Sequence, residues 1–466
     1  MEHVTRIVII GGGPGGYEAA LVAARLGAQV TVVDRDGVGG AAVLTDCVPS
    51  KTLIATADVM TTIQDAPALG VDGGTVTTVD LARVNERVLA LAAKQSEDIT
   101  EDLVKAGVEI VRGFAKLAAD GGGTVAVEVA APDGEDLLLE ADAVLLATGA
   151  RPREMASAQP DGERILTWTQ LYRLEELPAE LIVVGSGVTG AEFAGAYQAL
   201  GSQVTLVSSR DRVLPGEDED AARVLEEVFQ RRGMRVLGRS RAASAVREGD
   251  RVVVTLEDGR TVTGTHVLMA VGSLPNTEGL GLAEAGVQTT PSGHIVVDRV
   301  SRTTASNVYA AGDCTGLLAL ASVAAMQGRI AVYHALGEAV WPINLKRVSA
   351  NIFTSPEIAT VGRTTFNAES GDPRFDVVKL PLATNPRAKM LGFMDGFVKL
   401  YARPGSGTVL GGVIVAPRAS ELIHSVSMAV DLHLTVDQVA SVFTVYPSLS
   451  GSIAEAARRL HSDHED

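Results

Sequence analysis

The most regular pattern in the chain is a short apolar run followed by a glycine-rich turn and an alanine-rich stretch. Near its start the chain has "TRIVII", then "GGGPGG", then an alanine-rich stretch to Gly27, and then "AQVTVVD". Short apolar runs bounded by glycine are typical of buried strands, and the longer alanine-rich stretch is typical of a helix. We therefore predict strand, turn, helix and strand over residues 5–34.

The same pattern recurs from Leu181, with "LIVV", "GSGVTG", a helical stretch to Gly201 and then "SQVTLVSS". Each copy is followed further along by an apolar strand that ends in a turn, "ADAVLLATGARP" at 141–152 and "THVLMAVGSLPNT" at 265–277. Strands that alternate with helices favour parallel sheets. The repetition indicates an internal duplication.

The pattern changes after Pro342, where antiparallel-looking strands such as "GFVKLYA" and "GGVIVAP" are mixed with helices. Such a mixture is typical of an α+β domain. We predict an α/β chain with two Rossmann-like dinucleotide-binding domains and a C-terminal α+β domain.

Composition and charge exclude several classes of partner. The chain has 466 residues and a formal net charge of −17, which disfavours nucleic acid and anionic membranes as partners. No apolar run approaches the roughly 20 residues of a membrane span, and no secretory signal pattern is found, so we expect a cytoplasmic protein without stable membrane insertion. The two cysteines, Cys47 and Cys314, predict neither a disulfide framework nor a metal site.

The first glycine turn has the G-x-G-x-x-G spacing of a dinucleotide fingerprint, with Gly11, Gly13 and Gly16. Its glycines allow a tight turn and the close approach of a pyrophosphate to the following helix N-terminus. Asp34 ends the second strand, where a carboxylate holds a ribose diol. This order of elements predicts nucleotide binding.

The second fingerprint has the same spacing but a different residue at the end of its second strand. Its glycines are Gly185, Gly187 and Gly190. Ser208 stands where the first copy has Asp34, and Ser209, Arg210 and Arg212 follow in the "SSRDR" segment. A carboxylate there would repel a 2′-phosphate, whereas these serines and arginines would bind it. The pattern modestly favours NADPH over NADH, and a solvated loop with dual specificity is the alternative.

Four further segments complete a resemblance to the pyridine nucleotide-disulfide oxidoreductases, which include dihydrolipoamide dehydrogenase, glutathione reductase and mercuric reductase. They are "ATG" at 147–149, "NVYAAGDCTG" at 307–316, "IFTSPEIATVG" at 352–362 and "ASELI" at 419–423. The resemblance covers nearly the whole chain, with the motifs in the family's order.

The resemblance implies the roles of the domains. The first fingerprint would bind FAD, with Gly149 and Asp313 also at this cofactor, and the second would bind NADPH or NADH. Residues 1–153 and 272–346 would form the two parts of the FAD-binding and central domain, 154–271 the NAD(P)-binding domain and 347–466 the interface domain of a homodimer. Lys51 and Glu192 occupy positions that form an ion pair beside the flavin N5 in this family, where a cation stabilises negative charge on the reduced ring.

The sequence departs from the family at its thiol chemistry. The family has two cysteines in a GG-T-C-x-x-x-x-C-x-P-S-K frame, and this chain has Ala42 at the outer position and keeps only Cys47. The family's H-P-x-x-x-E acid/base pair is replaced by Tyr446 and Gly451. A phenol with an ordinary pKa near ~10 is a poor proton shuttle at neutral pH, although Tyr446 would still contact an aromatic substrate.

These departures predict that electrons leave the flavin without passing through sulfur. The leading prediction is an FAD-dependent NAD(P)H dehydrogenase that reduces a small quinone, with Lys51, Glu192 and Tyr446 as catalytic residues. A transhydrogenase between NADPH and NAD is the first alternative. A peroxidase that uses Cys47 and a redox-sensing flavoprotein with little turnover are the others.

Overall fold

The computed structural model describes residues 4–72, 77–118, 125–132, 134, 136–364 and 375–462. The chain forms two compact units. Unit 1 contains residues 1–52, 85–153 and 272–344, and unit 2 contains residues 53–84, 154–271 and 345–466. These units do not coincide with the predicted domains, since unit 2 contains both residues 154–271 and the C-terminal segment. The domain boundaries predicted from the sequence stay a prediction.

The first two thirds of the described chain contain both strands and helices. The strands there are β1 Arg6–Ile10, β2 Gln29–Asp34, β3 Glu109–Arg112, β4 Phe114–Leu117, β5 Val125–Ala130, β6 Leu137–Ala141, β7 Ala143–Leu146, β8 Ala150–Pro152, β9 Ile165–Leu166, β10 Glu180–Val184, β11 Gln203–Val207, β12 Arg235–Leu237, β13 Ala242–Glu248, β14 Arg251–Leu256, β15 Thr261–Gly264, β16 His266–Met269, β17 Ser273–Pro275 and β18 Val308–Ala310. The helices are α1 Pro14–Arg25, α2 Gly40–Leu44, α3 Cys47–Asp65, α4 Leu81–Lys105, α5 Val188–Leu200, α6 Glu219–Arg231 and α7 Ala321–Ala335.

The C-terminal part has an antiparallel sheet with helices packed on it. Its elements are β19 Ser349–Ile352, β20 Glu357–Gly362, β21 Asp376–Pro381, α8 Pro386–Met390, β22 Phe397–Ala402, β23 Val409–Ala416, α9 Ala419–Asp431, α10 Val436–Ser441 and α11 Gly451–Ser462. The strands form an antiparallel sheet in the order β19-β20-β23-β22-β21. Helix α9 packs on β20 and β23, and α11 packs on β21 and β22.

Unit 1 is built on a five-stranded parallel sheet in the order β18-β7-β1-β2-β3. Alternate residues of β1 enter different cores: Ile7 and Ile9 pack with α1, whereas Val8 and Ile10 pack with the small antiparallel sheet β4-β5-β6. Burial on both faces explains why this strand is a continuous apolar run. Part of the segment that leads into β5, residues 121–124, lies outside the described residues.

Unit 2 repeats this design with the parallel sheet β12-β11-β10-β16-β9 and an antiparallel sheet β13-β14-β15. The predicted α/β class with two dinucleotide folds and a C-terminal α+β domain is confirmed. Within the described part of the chain, every helix is too short or too polar to cross a bilayer. The same residues contain no His, Cys, Asp and Glu group suited to holding a metal ion.

Candidate dinucleotide-binding and catalytic residues

The first glycine turn joins β1 to α1, and two of its glycines are required by the protein itself. Gly11 has a φ of +106°, and a Cβ on it would lie 2.3 Å from the carbonyl oxygen of Ala147. A Cβ on Gly16 would lie 1.9 Å from the carbonyl oxygen of Gly11. These contacts lie far inside van der Waals distance, so no larger residue fits at either position without movement of the backbone.

Gly13 differs from Gly11 and Gly16, because a Cβ at this position would point into open space. In the described structure the nearest atom to a Cβ on Gly13 would be the Cα of Gly40 at 4.0 Å. Gly13 is also the N-cap of α1 and offers no side-chain cap, so no capping side chain competes with an anion at the positive end of the helix dipole. This cradle fits the pyrophosphate of a dinucleotide.

Asp34, at the end of β2, is held by the backbone of the turn. Its Oδ2 accepts the N–H of Gly12 at 2.6 Å, and its Oδ1 accepts those of Asp36 at 2.8 Å and Gly37 at 2.7 Å. A carboxylate has about four acceptor sites, so it retains capacity for a ribose hydroxyl. The residues present therefore fit the adenosine half of FAD.

The second glycine turn, between β10 and α5, repeats the backbone geometry of the first. Gly185 has a φ of +113°, and a Cβ on it would lie 2.1 Å from the carbonyl oxygen of Ala270. A Cβ on Gly190 would lie 1.8 Å from the carbonyl oxygen of Gly185. A Cβ on Gly187 meets no described atom within 4 Å. The same open cradle therefore precedes α5 and fits the pyrophosphate of NAD(P)H.

Ser208 follows β11, and the structure turns its side chain into the protein. It is 0% exposed, and its Oγ lies 2.7 Å from the Oγ of Ser186. It also accepts the N–H of Arg210 at 3.1 Å and donates to the carbonyl oxygen of Arg212 at 3.2 Å. The hydroxyl thus belongs to an internal network, and its contact with a bound phosphate stays a prediction. The side chains of Ser209 and Arg210 are exposed.

Gly149 and Asp313 lie near the ends of β7 and β18 in unit 1. Gly149 has a φ of +67°, and its carbonyl oxygen accepts the N–H of Asn276 at 3.0 Å. Asp313 follows Gly312, which has a φ of +82°. Burial raises the pKa of the Asp313 carboxyl, and the neighbouring His294 opposes this rise. Their predicted place at the flavin stays a prediction.

The two residues predicted to serve the flavin ring lie on helices. Lys51 is half-buried in the first turns of α3. Glu192 is buried on α5, and its Oε1 accepts the N–H of Phe353 at 2.8 Å. This bond fixes the orientation of the Glu192 carboxylate. Lys51 belongs to unit 1 and Glu192 to unit 2, and the predicted ion pair stays a prediction.

Ala42 and Cys47 lie on the successive helices α2 and α3, and both are partly exposed. Neither Cys47 nor Cys314 takes part in a disulfide. Burial raises the pKa of Cys314 to about 11, so this thiol stays protonated and unreactive.

Tyr446 lies in an exposed segment before α11, and its side chain is 82% exposed. Its neighbours Phe443 and Val445 are also exposed, and we call residues 442–446 the VFTVY segment. Hydroxyl groups follow it, since the Oγ atoms of Ser448 and Ser450 lie 3.0 Å apart and Ser448 accepts the N–H of Gly451 at 3.1 Å. The family resemblance expects an imidazole at position 446 and a carboxylate at position 451, and this chain has a phenol and a glycine there, with the hydroxyls of Ser448 and Ser450 between them.

Sequence reasoning missed Ser186 and Phe353. Ser186 is separated from Ser208 by two elements, and Phe353 contacts Glu192 through its backbone, which carries no side-chain signal. A signal for Ser186 did exist, because it replaces the glycine found between the first two fingerprint glycines of the first copy, Gly12.

A glycine turn that leads from a parallel sheet into a helix, present twice and followed by an α+β domain, defines a class of oxidoreductases that use two dinucleotides. The chain belongs to the pyridine nucleotide-disulphide oxidoreductase family. The model of that family matches residues 5–328, and the model of its dimerisation domain matches residues 348–457. The resemblance noted from the sequence motifs is confirmed.

Three relatives show the range of the similarity. An NAD(P)H dehydrogenase (quinone) from Mycobacterium tuberculosis is 56% identical over 99% of this chain and 95% of its own. The crystal structure of LpdA from Mycobacterium tuberculosis has a TM-score of 0.94 and 56% identity over 98% of this chain and 100% of that one. A dihydrolipoyl dehydrogenase from Bacillus subtilis is 32% identical over 97% of each chain. The family uses FAD and NAD(P)H, which confirms the predicted cofactors.

Proposed function

We propose that this chain is an FAD-dependent NAD(P)H dehydrogenase that reduces quinones without a redox disulfide. The observation that carries the proposal is the loss of one chemical unit, the outer cysteine at Ala42 and the acid/base pair at Tyr446 and Gly451. Both dinucleotide turns keep the geometry that their ligands require. The 56% identical relative named NAD(P)H dehydrogenase (quinone) supports the same activity.

The residues of the chain divide into binding and catalytic groups. In this proposal the first turn and Asp34 hold FAD, and the second turn holds NAD(P)H. When bound, FAD supplies an acceptor for hydride from the nicotinamide and a donor of one or two electrons to a quinone. Lys51 places a cation at this cofactor, and Glu192 keeps that cation charged and oriented, since its own carboxylate is fixed by the N–H of Phe353.

In this proposal, hydroxyl groups or water donate protons to the reduced quinone. Tyr446 is one of the two exposed aromatic residues in the VFTVY segment, and it would contact a planar acceptor through its ring or its phenol. A quinone suits such a site because its product oxygen atoms are basic enough to take protons from water. No thiol is needed at any step.

The assembly and location of the enzyme form part of the same proposal. We infer a homodimer, because the chain carries the family's dimerisation domain and exposes the apolar VFTVY segment next to α11. Two cysteines outside any disulfide are compatible with a reducing compartment, as expected for the cytoplasm. Analytical ultracentrifugation of the wild type and of Phe443→Asp would test the dimer, which the substitution should weaken.

The activity is tested by oxidation of NADPH and NADH with a panel of acceptors. Naphthoquinones and benzoquinones should support turnover, whereas lipoamide, glutathione disulfide and peroxide should not exceed background. Thio-NAD as the acceptor measures transhydrogenase activity in the same assay. Lipoamide reduction above background would contradict the proposal.

Cys47→Ser is the matched variant for this panel. Quinone reduction should stay within about twofold of the wild type, because electrons pass from the flavin to the quinone without a thiol in the proposed reaction. Loss of quinone reduction in Cys47→Ser would show that sulfur takes part after all.

A further inference from the structure

The turn that carries Asp313 is held by a buried glutamine on α7. Gln327 is 0% exposed, and its Oε1 accepts the N–H of Gly312 at 3.0 Å. This bond fixes which end of the amide faces Gly312, because a backbone N–H needs an acceptor. The Nε2 of Gln327 then donates a long hydrogen bond of 3.5 Å to the Oγ1 of Thr315. One buried side chain thus contacts both ends of the turn over residues 312–315.

Thr315 completes this network. Its Oγ1 donates to the carbonyl oxygen of Gly312 at 2.7 Å, and its N–H donates to the same oxygen at 2.9 Å. The hydrogen bonds run from Gly312 to Gln327, from Gln327 to Thr315 and from Thr315 back to Gly312, so they form a closed ring. Position 327 therefore needs a side chain that both accepts and donates, as an amide does.

Gly312 depends on these bonds for its conformation. Its φ of +82° and ψ of −156° lie in a region that is restricted essentially to glycine. Because a glycine backbone has many other accessible conformations, its neighbours must select this one. Of residues 311–315, Asp313 is partly exposed and the other four are buried. The selected conformation thus leaves Asp313 as the accessible residue of the turn.

We propose that Gln327 is a positioning residue for FAD, which holds the Gly312 peptide so that Asp313 faces the cofactor. This inference rests on the proposed function, in which Asp313 lies at the flavin, and Gln327 acts through the turn. A leucine at position 327 would leave the buried N–H of Gly312 without an acceptor and would release the turn. An ionised glutamate would accept that N–H but could not donate to Thr315.

The test measures the dissociation constant of FAD from apoprotein of the full chain, by flavin fluorescence, together with the melting temperature. Gln327→Leu should weaken FAD binding by about 10- to 100-fold and change the visible circular dichroism of the flavin that binds at saturation. Tyr309→Phe is the matched control, because it removes a hydrogen bond of 2.9 Å from β18 to His334, near the C-terminus of the same helix. It should lower the melting temperature and keep the FAD affinity within about twofold.

Gln327→Glu adds a pH profile that a merely structural role would not produce. When protonated, this carboxyl accepts the N–H of Gly312 and donates its O–H to Thr315, as the amide does. Burial raises the pKa of such a group, so both forms are reached in a working pH range. The FAD affinity of Gln327→Glu should lie within about threefold of the wild type at pH ~5.5 and should be weaker by about tenfold or more at pH ~9.

The wild type at the same pH is the reference for this profile. Other ionisable groups on the turn and on α1 and β18, which pack against α7, are the same in both proteins: Asp313, Cys314, Tyr17, Glu18, Arg25 and Tyr309. The ratio of the two dissociation constants therefore reports position 327 alone.

Two results would overturn the inference and leave the proposed function intact. One is wild-type FAD affinity in Gln327→Leu, and the other is a ratio between Gln327→Glu and the wild type that does not change with pH. Failure of the wild type to bind FAD would instead overturn the proposed function, and the inference with it.

Discussion

The two glycine turns of this chain have the same backbone and different surroundings. In both, the first glycine has a φ above +100°, and the third lies against the carbonyl oxygen of the first. They differ at the end of the second strand, where Asp34 binds three backbone N–H groups and Ser208 joins a hydroxyl pair. The two turns thus share their backbone geometry and differ in the side chains beside them.

The segments that follow the two turns differ as well. Asp34 leads within a few residues to the short helix α2, whereas Ser208 leads to Asp218, the N-cap of α6. Lys399 on β22 donates to both oxygens of Asp218 at 2.8 Å and to Asp220 at 2.7 Å, and it is 6% exposed. We call these three residues the Lys399 cluster. The second turn is thus followed by a buried ionic connection to the C-terminal sheet.

The largest effect is expected at the third glycine of each turn. Gly16→Ala should abolish FAD retention, and Gly190→Ala should weaken NAD(P)H binding by at least about 100-fold while FAD is kept, because the new Cβ displaces the turn. The absorbance of bound flavin and calorimetry with NADP⁺ measure the two outcomes. Wild-type nucleotide binding in Gly190→Ala would show that the third glycine is not required in the second turn.

The second prediction concerns the Lys399 cluster. Lys399→Met should lower the free energy of unfolding by ~3–5 kcal/mol, because it leaves the buried carboxylate of Asp218 without its cation. Urea unfolding measures this loss. Lys94→Met is the matched control, since Lys94 pairs with Asp98 on an exposed face of α4 and its removal should change the free energy of unfolding much less. Equal effects of the two variants would show that the cluster does not stabilise this region.

The third prediction distinguishes Gly187, where a Cβ has open space, from Gly185 and Gly190, where a Cβ would meet a carbonyl oxygen. Gly187→Ala should leave the melting temperature unchanged, because a Cβ there has open space, and it should weaken NADP⁺ binding by about tenfold by obstructing the pyrophosphate. Differential scanning fluorimetry measures the melting temperature, and calorimetry measures the affinity for NADP⁺. A loss of stability equal to that of Gly190→Ala would refute the distinction.

The smallest effect is expected from Lys379, whose Nζ lies 2.9 Å from the Oδ1 of Asp220 at the edge of the cluster. Burial alone would raise the pKa of Asp220, but hydrogen bonds from Lys399 and Lys379 hold it at about 2. Since this pKa lies below the unfolded value of ~3.9, the stabilisation is complete above that pH and is lost as the pH falls towards 2.

Lys379→Met should therefore cost up to ~1 kcal/mol at neutral pH. The difference from the wild type should shrink as the pH falls from about 4 towards 2, when Asp220 is protonated in both. Urea unfolding midpoints at several pH values test this. A difference that grows on acidification would contradict the assigned role of Asp220.

Much of the fold was predictable because its signals are local. The apolar runs of β1 and β10 predicted buried parallel strands, and the spacing from Gly11 to Gly16 predicted the turn before α1. The network around Ser208 was not predictable, because a serine after a strand is usually solvated and nothing in its neighbours indicates an inward rotation. The same holds for Glu192, whose partner at Phe353 is a backbone N–H.

The sequence by itself determined the two nucleotide turns, the family and the missing thiol partner at Ala42. Each of these depends on residue types at fixed short spacings, where glycine is required by backbone conformation and cysteine by its chemistry. Only the tertiary structure decided that Ser186 forms a hydrogen bond with Ser208, 22 residues away, and that Lys399 donates one to Asp218, 181 residues away. Contacts between distant segments arise from the packing of whole sheets and helices, which no short spacing records.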